Sequence, residues 1–230
     1  MSFINDETCN LHYMLVTNQM LLFDIGANVG SWTLANLPGN RIVAVEASPT
    51  TYSKLLENVI GKNVNALNYA VTNAVSKTVP FYVSGIDVLS TLDKRWLEDP
   101  RSRFGTQSPY NMHASNTEIT VNTITLDALV ATYGAPDLIK VDVEGAENSV
   151  IRSLTRKAKV LCFEWASEWN PETFECIDYL VSLGYTQFHV QQQDVYTYRP
   201  TQFEHTADSL KAYLVTTTPM LEWGMIWCSF

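Results

Sequence analysis

The sequence contains no long hydrophobic run: no apolar stretch approaches the roughly 18 residues that a membrane-spanning helix needs. The N-terminal segment MSFINDETCNLHYMLV lacks the basic stretch followed by an apolar stretch that marks an export signal. Cysteine is sparse, and Cys9, Cys162, Cys176 and Cys228 form neither a CxxC pair nor a Cys/His cluster. These absences predict a soluble cytoplasmic protein with reduced thiols and no membrane partner.

Positive charge is also in short supply. The 230 residues carry 15 Lys and Arg against 24 Asp and Glu, which gives a formal net charge of −9. Such a surface repels phosphate backbones, so a nucleic-acid partner is disfavoured. At the same time 46% of the residues are hydrophobic, and the 10 glycines and 9 prolines form no biased tract. The composition indicates a globular chain, and we expect residues 1–230 to form a single domain.

Short apolar runs alternate with segments of helical period, which is the pattern of an α/β sheet. Met20–Ile25 and Arg41–Ala47 are nearly continuous apolar runs, which indicates a parallel sheet buried on both faces. Further strands are predicted at Val64–Ala70, Val79–Ser84, Asp137–Val143, Lys159–Trp165, Tyr185–Val190 and Ala212–Thr217. Helices are predicted from Ser48 and Pro49 to Gly61, over Thr125–Tyr133 and Ala146–Leu154, and from Asn170 to Gly184. The sequence thus predicts an α/β fold with an about seven-stranded, mainly parallel sheet and helices on both faces.

The segment Gly85–Glu118 departs from this pattern. It is polar, lacks a clear period and is too long for an ordinary connection, so we expect a lid or an acceptor-specificity element. Its basic residues are Lys94, Arg95, Arg101 and Arg103. They either form a solvated helix face or bind a phosphate, for example of a nucleotide-sugar. His113 is a further candidate base in this segment.

The motif FDIGANVGSWT, residues 23–33, joins the first predicted strand to the next helix. Gly26 and Gly30 allow a tight turn and a close approach of a ligand to the backbone before the helix starts. Asp24 ends the first strand, and Glu46 ends the second, where a carboxylate can bind both hydroxyls of a ribose. Together these residues predict a nucleoside-containing cofactor across the ends of the two strands. The alternative is a tight turn that merely connects strand and helix.

The spacing within this loop discriminates between two cofactors. A dinucleotide-binding loop requires G-x-G-x-x-G, but Asn28 stands in place of the second glycine and Ser31 in place of the third. Asn28 would crowd a pyrophosphate, whereas D-x-G-x-N-x-G suits S-adenosylmethionine, which carries no phosphate. Asp24 is then positioned to favour the positive groups of that cofactor. A nicotinamide-dependent oxidoreductase on the same topology is the alternative.

A second motif, DVEGAE, places Asp142 and Glu144 at the carboxyl end of a predicted central strand, where ligands bind in open α/β sheets. A hydroxyl is a poor nucleophile until its proton is removed, so methyl transfer to oxygen requires a base or a metal. We expect Asp142 to be the base or a metal ligand, followed by Glu144 and by Glu164 on the neighbouring strand. Two or three carboxylates there also suit Mg²⁺. The alternative is helix capping, which is the role expected for Glu147.

These motifs resemble a known family. FDIGANVGSWT, VEASP and DLIKVDVEGAENSVI, with the spacing from TLDAL to PDLIKVDVEGAE and to Glu164, are similar to the FkbM family of S-adenosylmethionine-dependent methyltransferases over about residues 20–165. The resemblance implies a single Rossmann-like class I methyltransferase domain, S-adenosylmethionine as cofactor, and O-methylation of sugar or natural-product hydroxyls. The cofactor-binding residues it implies are Asp24, Gly26, Asn28 and Gly30 at the tail, Glu46 with Ala47 at the ribose, and Asn68 with Ala70 near the adenine.

The sequence therefore predicts an S-adenosylmethionine-dependent O-methyltransferase with Asp142 and Glu144 as catalytic residues. We expect its acceptor to be the hydroxyl of a sugar, a glycan or a nucleotide-sugar. Alternative acceptors are a small natural product and a nucleic-acid hydroxyl. A module that binds the cofactor without catalysing transfer is a further alternative, because no pattern in the sequence identifies the acceptor site.

Overall fold

The computed structural model describes residues 19–105, 116–217 and 220–230, and ten strands lie within these ranges. They are β1 (Leu21–Ile25), β2 (Arg41–Glu46), β3 (Val64–Asn68), β4 (Ala70–Val71), β5 (Thr78–Ser84), β6 (Asn116–Ile124), β7 (Leu138–Val141), β8 (Val160–Ala166), β9 (Gln187–Gln192) and β10 (Trp223–Ser229). Seven of them form one sheet in the order β3-β2-β1-β7-β8-β10-β9. The first five strands in this order are parallel, and β10 is antiparallel to both of its neighbours. The predicted α/β fold with a mainly parallel sheet is confirmed.

Helices cover both faces of this sheet. They are α1 (Ser31–Asn36), α2 (Pro49–Val59), α3 (Lys94–Glu98), α4 (Leu126–Tyr133), α5 (Glu147–Ile151), α6 (Asn170–Ser182) and α7 (Ala207–Thr217). Leu22 of β1 packs in one apolar cluster with residues of α1 and α2, whereas its neighbour Phe23 packs in a second cluster with α4 to α7. Successive residues of a strand point to opposite faces, so a strand covered on both faces must be apolar throughout. This explains the absence of polar alternation in β1, β2 and β7.

The helix boundaries follow the capping residues. The Ser48 hydroxyl accepts a hydrogen bond from the backbone N–H of Thr51 at the start of α2, and Pro49 is its first residue. Thr125 caps α4 in the same way, and Gly134 ends it with a φ of +100°. These helices were predicted at nearly the observed boundaries, whereas α5 is shorter than the predicted helix Ala146–Leu154.

A second, three-stranded sheet lies outside the predicted architecture. In it β6 pairs in parallel with β4 and in antiparallel register with β5, from Thr78 opposite Asn122 to Ser84 opposite Asn116. The expected lid, Gly85–Glu118, is therefore not one irregular segment. It contains a 3₁₀ turn at Asp87–Leu89, helix α3 and the first residues of β6. His113 lies outside the described residues.

The predicted strand at Ala212–Thr217 is wrong. These residues belong to α7, which buries Leu210, Leu214 and Thr217 at the i, i+4, i+7 spacing of a helix. The β-branched residues at its end favour a strand by intrinsic propensity, but the burial of one helical face outweighs that preference. The strand that completes the sheet is β10, an apolar run that the prediction missed, and it is inserted between β8 and β9.

Two smaller expectations concern membranes and cysteines. In the part of the chain that the structure describes, every helix is too short or too polar to cross a membrane. Cys162, Cys176 and Cys228 are buried free thiols, and Cys9 lies outside the described residues.

Replacing Leu214 by alanine tests the helical assignment of residues 207–217. Leu214 is fully buried, so L214A is expected to lower the free energy of unfolding by about 2–5 kcal/mol. Its neighbour Val215 is 59% exposed, and V215A is expected to change it by less than about 0.5 kcal/mol. Urea denaturation of both variants measures the difference. Equal losses would contradict the observed packing of α7.

Candidate functional site

A cavity of about 680 Å³ opens at the carboxyl ends of β1, β2 and β7, a volume typical of small-molecule sites. The loops that follow these strands line it with residues 26–29, Glu46 with Ala47, and 142–144. Residues 69–71 contribute further lining, together with several residues between Val88 and Phe104. The carboxyl ends of parallel strands meet at one edge of a sheet, which is why the glycine loop and the DVEGAE motif lie together.

The glycine loop keeps its shape through left-handed backbone conformations. Gly26 has a φ of +78°, and a Cβ atom there would lie 1.7 Å from the carbonyl oxygen of Asp142, so only glycine fits. Asn28 has a φ of +49°, which asparagine adopts more readily than most residues. The Gly26 N–H donates to the carbonyl oxygen of Val45 at 3.0 Å. The loop is thereby fixed between β2 and the end of β7.

Glu46 joins the glycine loop to the loop that follows β2. Its Oε2 accepts a hydrogen bond from the backbone N–H of Asn28 at 3.0 Å, and its Oε1 accepts one from Ser48 at 2.7 Å. Burial raises the pKa of Glu46 to about 7, against the lowering effect of these two donors. The side-chain amide of Asn68 donates to the carbonyl oxygens of Glu46 and Ala47, at 2.8 and 3.0 Å. The end of β2 is therefore held from both sides.

Asp24 lies beneath the glycine loop and is fully buried. Its Oδ2 accepts a hydrogen bond from the Thr33 hydroxyl at 2.5 Å, and its Oδ1 lies 3.6 Å from Nζ of Lys140. Asp24 and Lys140 are register partners on β1 and β7, so their side chains emerge on the same face of the sheet. Burial raises the pKa of Asp24, and the Lys140 ammonium opposes that shift.

Lys140 also approaches the DVEGAE motif. Its Nζ lies 2.9 Å from Oδ2 of Asp142. Burial by itself lowers the pKa of Lys140, but the carboxylates of Asp142 and Asp24 together raise it above its ordinary value. The side chain is therefore a buried ammonium ion, and it is the counter-ion of the Asp142 carboxylate.

Glu144 and Glu164 form an acidic cluster with Asp142. One carboxylate oxygen of each of the three residues lies within 4.8 Å of the others. Burial raises the pKa of Glu144 and of Glu164 well above the ordinary value, and the neighbouring negative charges add to the effect. Within the described residues this is the only group of three with a geometry suited to a cation. The Lys140 ammonium already supplies positive charge beside it.

Glu147 serves the backbone of the same loop. It lies in the first turn of α5, and its Oε1 accepts hydrogen bonds from the N–H groups of Val143 at 3.0 Å and Gly145 at 3.3 Å. Glu147 therefore stabilises the turn before α5, whereas the helix-capping role expected for it is not observed, because the N-cap Ala146 has no side-chain hydrogen bond. Asp142 and Glu144, by contrast, line the cavity.

Comparison with known proteins identifies the family. Residues 24–187, well over half of the chain, match the model of the methyltransferase FkbM domain. The chain belongs to the FkbM methyltransferase family. It is therefore an S-adenosylmethionine-dependent methyltransferase. The alternative prediction of a nicotinamide-dependent oxidoreductase is rejected. No curated protein sequence matches the chain significantly.

Solved methyltransferase structures are similar to this FkbM methyltransferase, at low sequence identity. Precorrin-6Y C5,15-methyltransferase from Geobacter metallireducens is 14% identical with a TM-score of 0.46, and the alignment covers 98% of this chain and 89% of that one. A putative RNA methyltransferase from Pyrococcus horikoshii is 10% identical, with a TM-score of 0.45 and coverages of 97% and 81%. An S-adenosylmethionine-dependent O-methyltransferase from Thermotoga maritima is 11% identical, with a TM-score of 0.42 and coverages of 99% and 66%. Similarity at this level does not identify the acceptor.

The cavity of the FkbM methyltransferase brings most of the predicted site residues together. Those that line it are Gly26, Asn28, Glu46, Ala47, Ala70, Asp142, Glu144 and Glu164. Asp24, Gly30 and Asn68 lie behind this lining. A Cβ atom on Gly30 would lie 2.8 Å from Cδ1 of Leu55, so this glycine permits close packing of α1 against α2.

The sequence analysis missed the lining residues that follow β9. They are Asp194, Tyr196, Leu221 and Trp223. Burial raises the pKa of Asp194 to about 6, and the charge of Lys140 opposes the shift. Asp194 follows β9 in a loop with no recognisable motif, so only the three-dimensional structure relates it to Asp142. The pairing of Lys140 with Asp24 and Asp142 is likewise seen only in the three-dimensional structure.

The basic residues of the segment after β5 are all paired with carboxylates. The ion pairs are Lys94 with Glu98, Arg95 with Asp93, Arg101 with Asp99, and Arg103 with Glu168. A phosphate would have to compete with these carboxylates for its cations. The arrangement therefore gives no support to the phosphate-binding alternative.

Replacing Gly26 by alanine tests the close approach of the glycine loop to β7. Gly39 is a matched control, because its φ of +76° is nearly the same but an added Cβ would meet no atom within 4 Å. G39A is expected to lower the free energy of unfolding by about 1–2 kcal/mol, the cost of a left-handed alanine. G26A is expected to cost more and to abolish S-adenosylmethionine binding, because the loop must move away from Asp142. Urea denaturation and calorimetric titration measure the two effects, and equal results for both variants would contradict the prediction.

Proposed function

We propose that this methyltransferase transfers the methyl group of S-adenosylmethionine to a hydroxyl oxygen of a sugar or glycan. The observation that carries the proposal is the Asp142 carboxylate, which is paired with the buried Lys140 and lines the same cavity as the glycine loop. A carboxylate held in this way can accept the proton of a bound hydroxyl. Loss of this proton makes the acceptor oxygen nucleophilic without a metal ion.

The cofactor fits the residues at the glycine loop. Gly26, Ala27, Asn28 and Val29 line the cavity, so a ligand bound there lies against the glycine loop. We assign Gly26, Asn28 and Gly30, with Asp24 beneath them, to the amino-acid tail of the cofactor. Glu46, a buried carboxylate at the cavity wall, is assigned to the ribose hydroxyls.

The remaining cofactor contacts complete this arrangement. Ala47 and Ala70 line the cavity beyond Glu46 and are assigned to the adenosine, with Asn68 holding the end of β2 behind them. When bound, the cofactor supplies an electrophilic methyl group on its sulfonium. Asp142 would accept the proton of the acceptor O–H, and a cofactor held by the glycine loop and Glu46 would supply the methyl group to that oxygen and leave as S-adenosylhomocysteine.

The charge of the cavity favours a neutral acceptor over a phosphorylated one. Its lining includes the carboxyl groups of Glu46, Asp142, Glu144, Glu164 and Asp194. Its two cations, Lys140 and Arg103, already contact carboxylates. A nucleotide-sugar or nucleic acid would bring phosphates towards these acidic groups. A sugar hydroxyl instead donates hydrogen bonds to carboxylates, and the aromatic lining offers surfaces for the apolar face of a sugar ring.

Two further points belong to the proposal. We expect catalysis without Mg²⁺, because the Lys140 ammonium beside Asp142 provides the positive charge that a metal would bring. We also place the reaction in the cytoplasm, where the buried thiols of Cys162, Cys176 and Cys228 stay reduced.

The affinity for S-adenosylmethionine is expected to depend on pH through Glu46. Its pKa is about 7, and the ionised form is the better acceptor of ribose hydroxyls, so binding is strong above pH 7 and weakens as the pH falls. The dissociation constant should rise by about tenfold for each pH unit below the pKa. Calorimetric titration from pH 5.5 to 8 measures this. The dissociation constant of the E46Q variant should not change with pH through this group, so any pH dependence that remains in E46Q measures other titrating groups, including those of the ligand. The same pH dependence in E46Q as in the wild type would contradict the assignment.

The acceptor is tested with S-adenosylmethionine that carries a deuterated methyl group. The protein is incubated with neutral sugars and glycans, a nucleotide-sugar, an RNA oligonucleotide and small aromatic alcohols, with and without EDTA, and the products are analysed by mass spectrometry. A deuterated methyl ether on a neutral sugar, formed equally with EDTA, is the expected result. Methylation of nitrogen or carbon, or of the RNA alone, would reject the proposal.

The role of Asp142 is tested with D142N. The variant should lower kcat by about 10²–10⁴-fold, because the base is lost, while S-adenosylmethionine binds within about threefold of the wild-type affinity. D178N makes the same chemical change at an exposed residue of α6, paired only with Lys211, and should leave both quantities unchanged. Full turnover by D142N would show that another group takes the proton.

A further inference from the structure

Trp96 is the contact between helix α3 and the DVEGAE loop. It is 3% exposed, and it contributes to the cavity lining. Its indole Nε1–H donates a hydrogen bond to Oε2 of Glu144 at 3.0 Å. A residue far away in sequence therefore holds one of the acidic side chains of the site.

The backbone that carries Glu144 is strained. Glu144 has a φ of +58°, and Gly145 follows with +89°. A left-handed conformation is unfavourable for a glutamate and persists only where its surroundings impose it. The ring of Trp96 covers this turn so closely that a Cβ atom on Gly145 would lie 2.9 Å from Cδ2 of the indole. The indole thus packs on the turn and also binds the side chain that the turn presents.

The orientation of the indole is itself fixed by the surrounding fold. Trp96 packs edge to face against Phe104, at a centroid distance of 5.4 Å, and against Trp169, at 5.5 Å. The Ser102 hydroxyl donates to the carbonyl oxygen of Trp96 at 2.5 Å. Next to it, Arg103 binds Glu168 with two short hydrogen bonds to the carboxylate. The indole is therefore rigid enough to determine where Glu144 points.

We propose that Trp96 is a positioning residue for the acceptor: its indole holds one oxygen of Glu144, so that the other is available to bind a hydroxyl beside Asp142. The inference rests on the proposed function and adds to it a contact between Glu144 and the acceptor. Helix α3, in the segment after β5, then belongs to the catalytic site, because its Trp96 sets the geometry of the acidic loop.

The first test compares W96F with W169F. Both variants replace a buried tryptophan of the same aromatic cluster, but the Trp169 Nε1 has no hydrogen-bond partner among the described residues, so only W96F removes the bond to Glu144. W96F should lower kcat/KM for the acceptor by about 10–100-fold, with the S-adenosylmethionine affinity within about twofold. W169F should stay within about threefold of the wild type when corrected for folded protein. Equal losses in both variants would overturn the proposal.

The pH profile separates positioning from a packing defect. Four charged or titratable residues surround Glu144. They are Lys140 of β7, Asp142 of the following loop, Glu147 of α5 and Glu164 of β8. Burial and the acidic neighbours raise the pKa of Glu144, and the Trp96 N–H lowers it. Removing the N–H should move the acidic limb of the kcat/KM profile to higher pH in W96F and leave it in place in W169F. An unshifted profile in W96F would overturn the proposal.

A spectroscopic measurement needs no acceptor. The indole N–H resonance of Trp96, identified by its loss in W96F, should shift with pH in the wild type and cease to do so in E144Q. An unchanged titration in E144Q would show that the indole is not bound to Glu144. Full activity of E144Q would instead reject the catalytic role proposed for Glu144, whereas activity lost in E144Q but kept in W96F would reject only the positioning role of Trp96.

Discussion

The arrangement of the site depends on the close approach of β1 and β7 at their carboxyl ends. The N–H of Asp142 donates to the carbonyl oxygen of Ile25 at 3.0 Å, and the next residue, Gly26, touches the Asp142 carbonyl group so closely that a side chain is excluded. The glycine loop and the acidic loop therefore leave the sheet side by side. A ligand bound over the glycine loop lies next to Asp142 because of this backbone contact, and the other residues of the site are added around it.

Electrostatics then differentiates the carboxyl groups that this contact brings together. The ammonium of Lys140 lies between Asp24 and Asp142. Burial and acidic neighbours raise the pKa of Glu144 and of Glu164, and at Glu144 the Trp96 N–H and the charge of Lys140 oppose that shift. Lys140 thus opposes the effect of burial on the pKa of both Asp24 and Glu144. The same cation connects the residue beneath the cofactor loop to the proposed base, so the two halves of the site share one charge balance.

The sequence predicted the parts of the structure whose signals are local. Each of these signals lies at the end of one strand or in the turn that follows it: the loop from Asp24 to Gly30 at the end of β1, Glu46 at the end of β2, and Asp142 with Glu144 after β7. Most of these residues line the cavity. Contacts between distant segments left no local pattern. The hydrogen bond from Trp96 to Glu144 joins residues 48 positions apart, and Asp194 reaches the cavity from an unremarkable loop. The C-terminal error has a different origin, since β-branched residues in α7 favour a strand locally while the core selects a helix.

The position of β10 has a consequence for how the chain assembles. This strand follows β9 and α7 in sequence, yet it lies between β8 and β9 and forms hydrogen bonds with both. Until residues 223–229 are in place, β9 has no partner strand in the sheet and β8 has an open edge. Open edges pair readily with other chains. The parallel strands and β9 are therefore joined into one sheet only when β10 pairs with both β8 and β9.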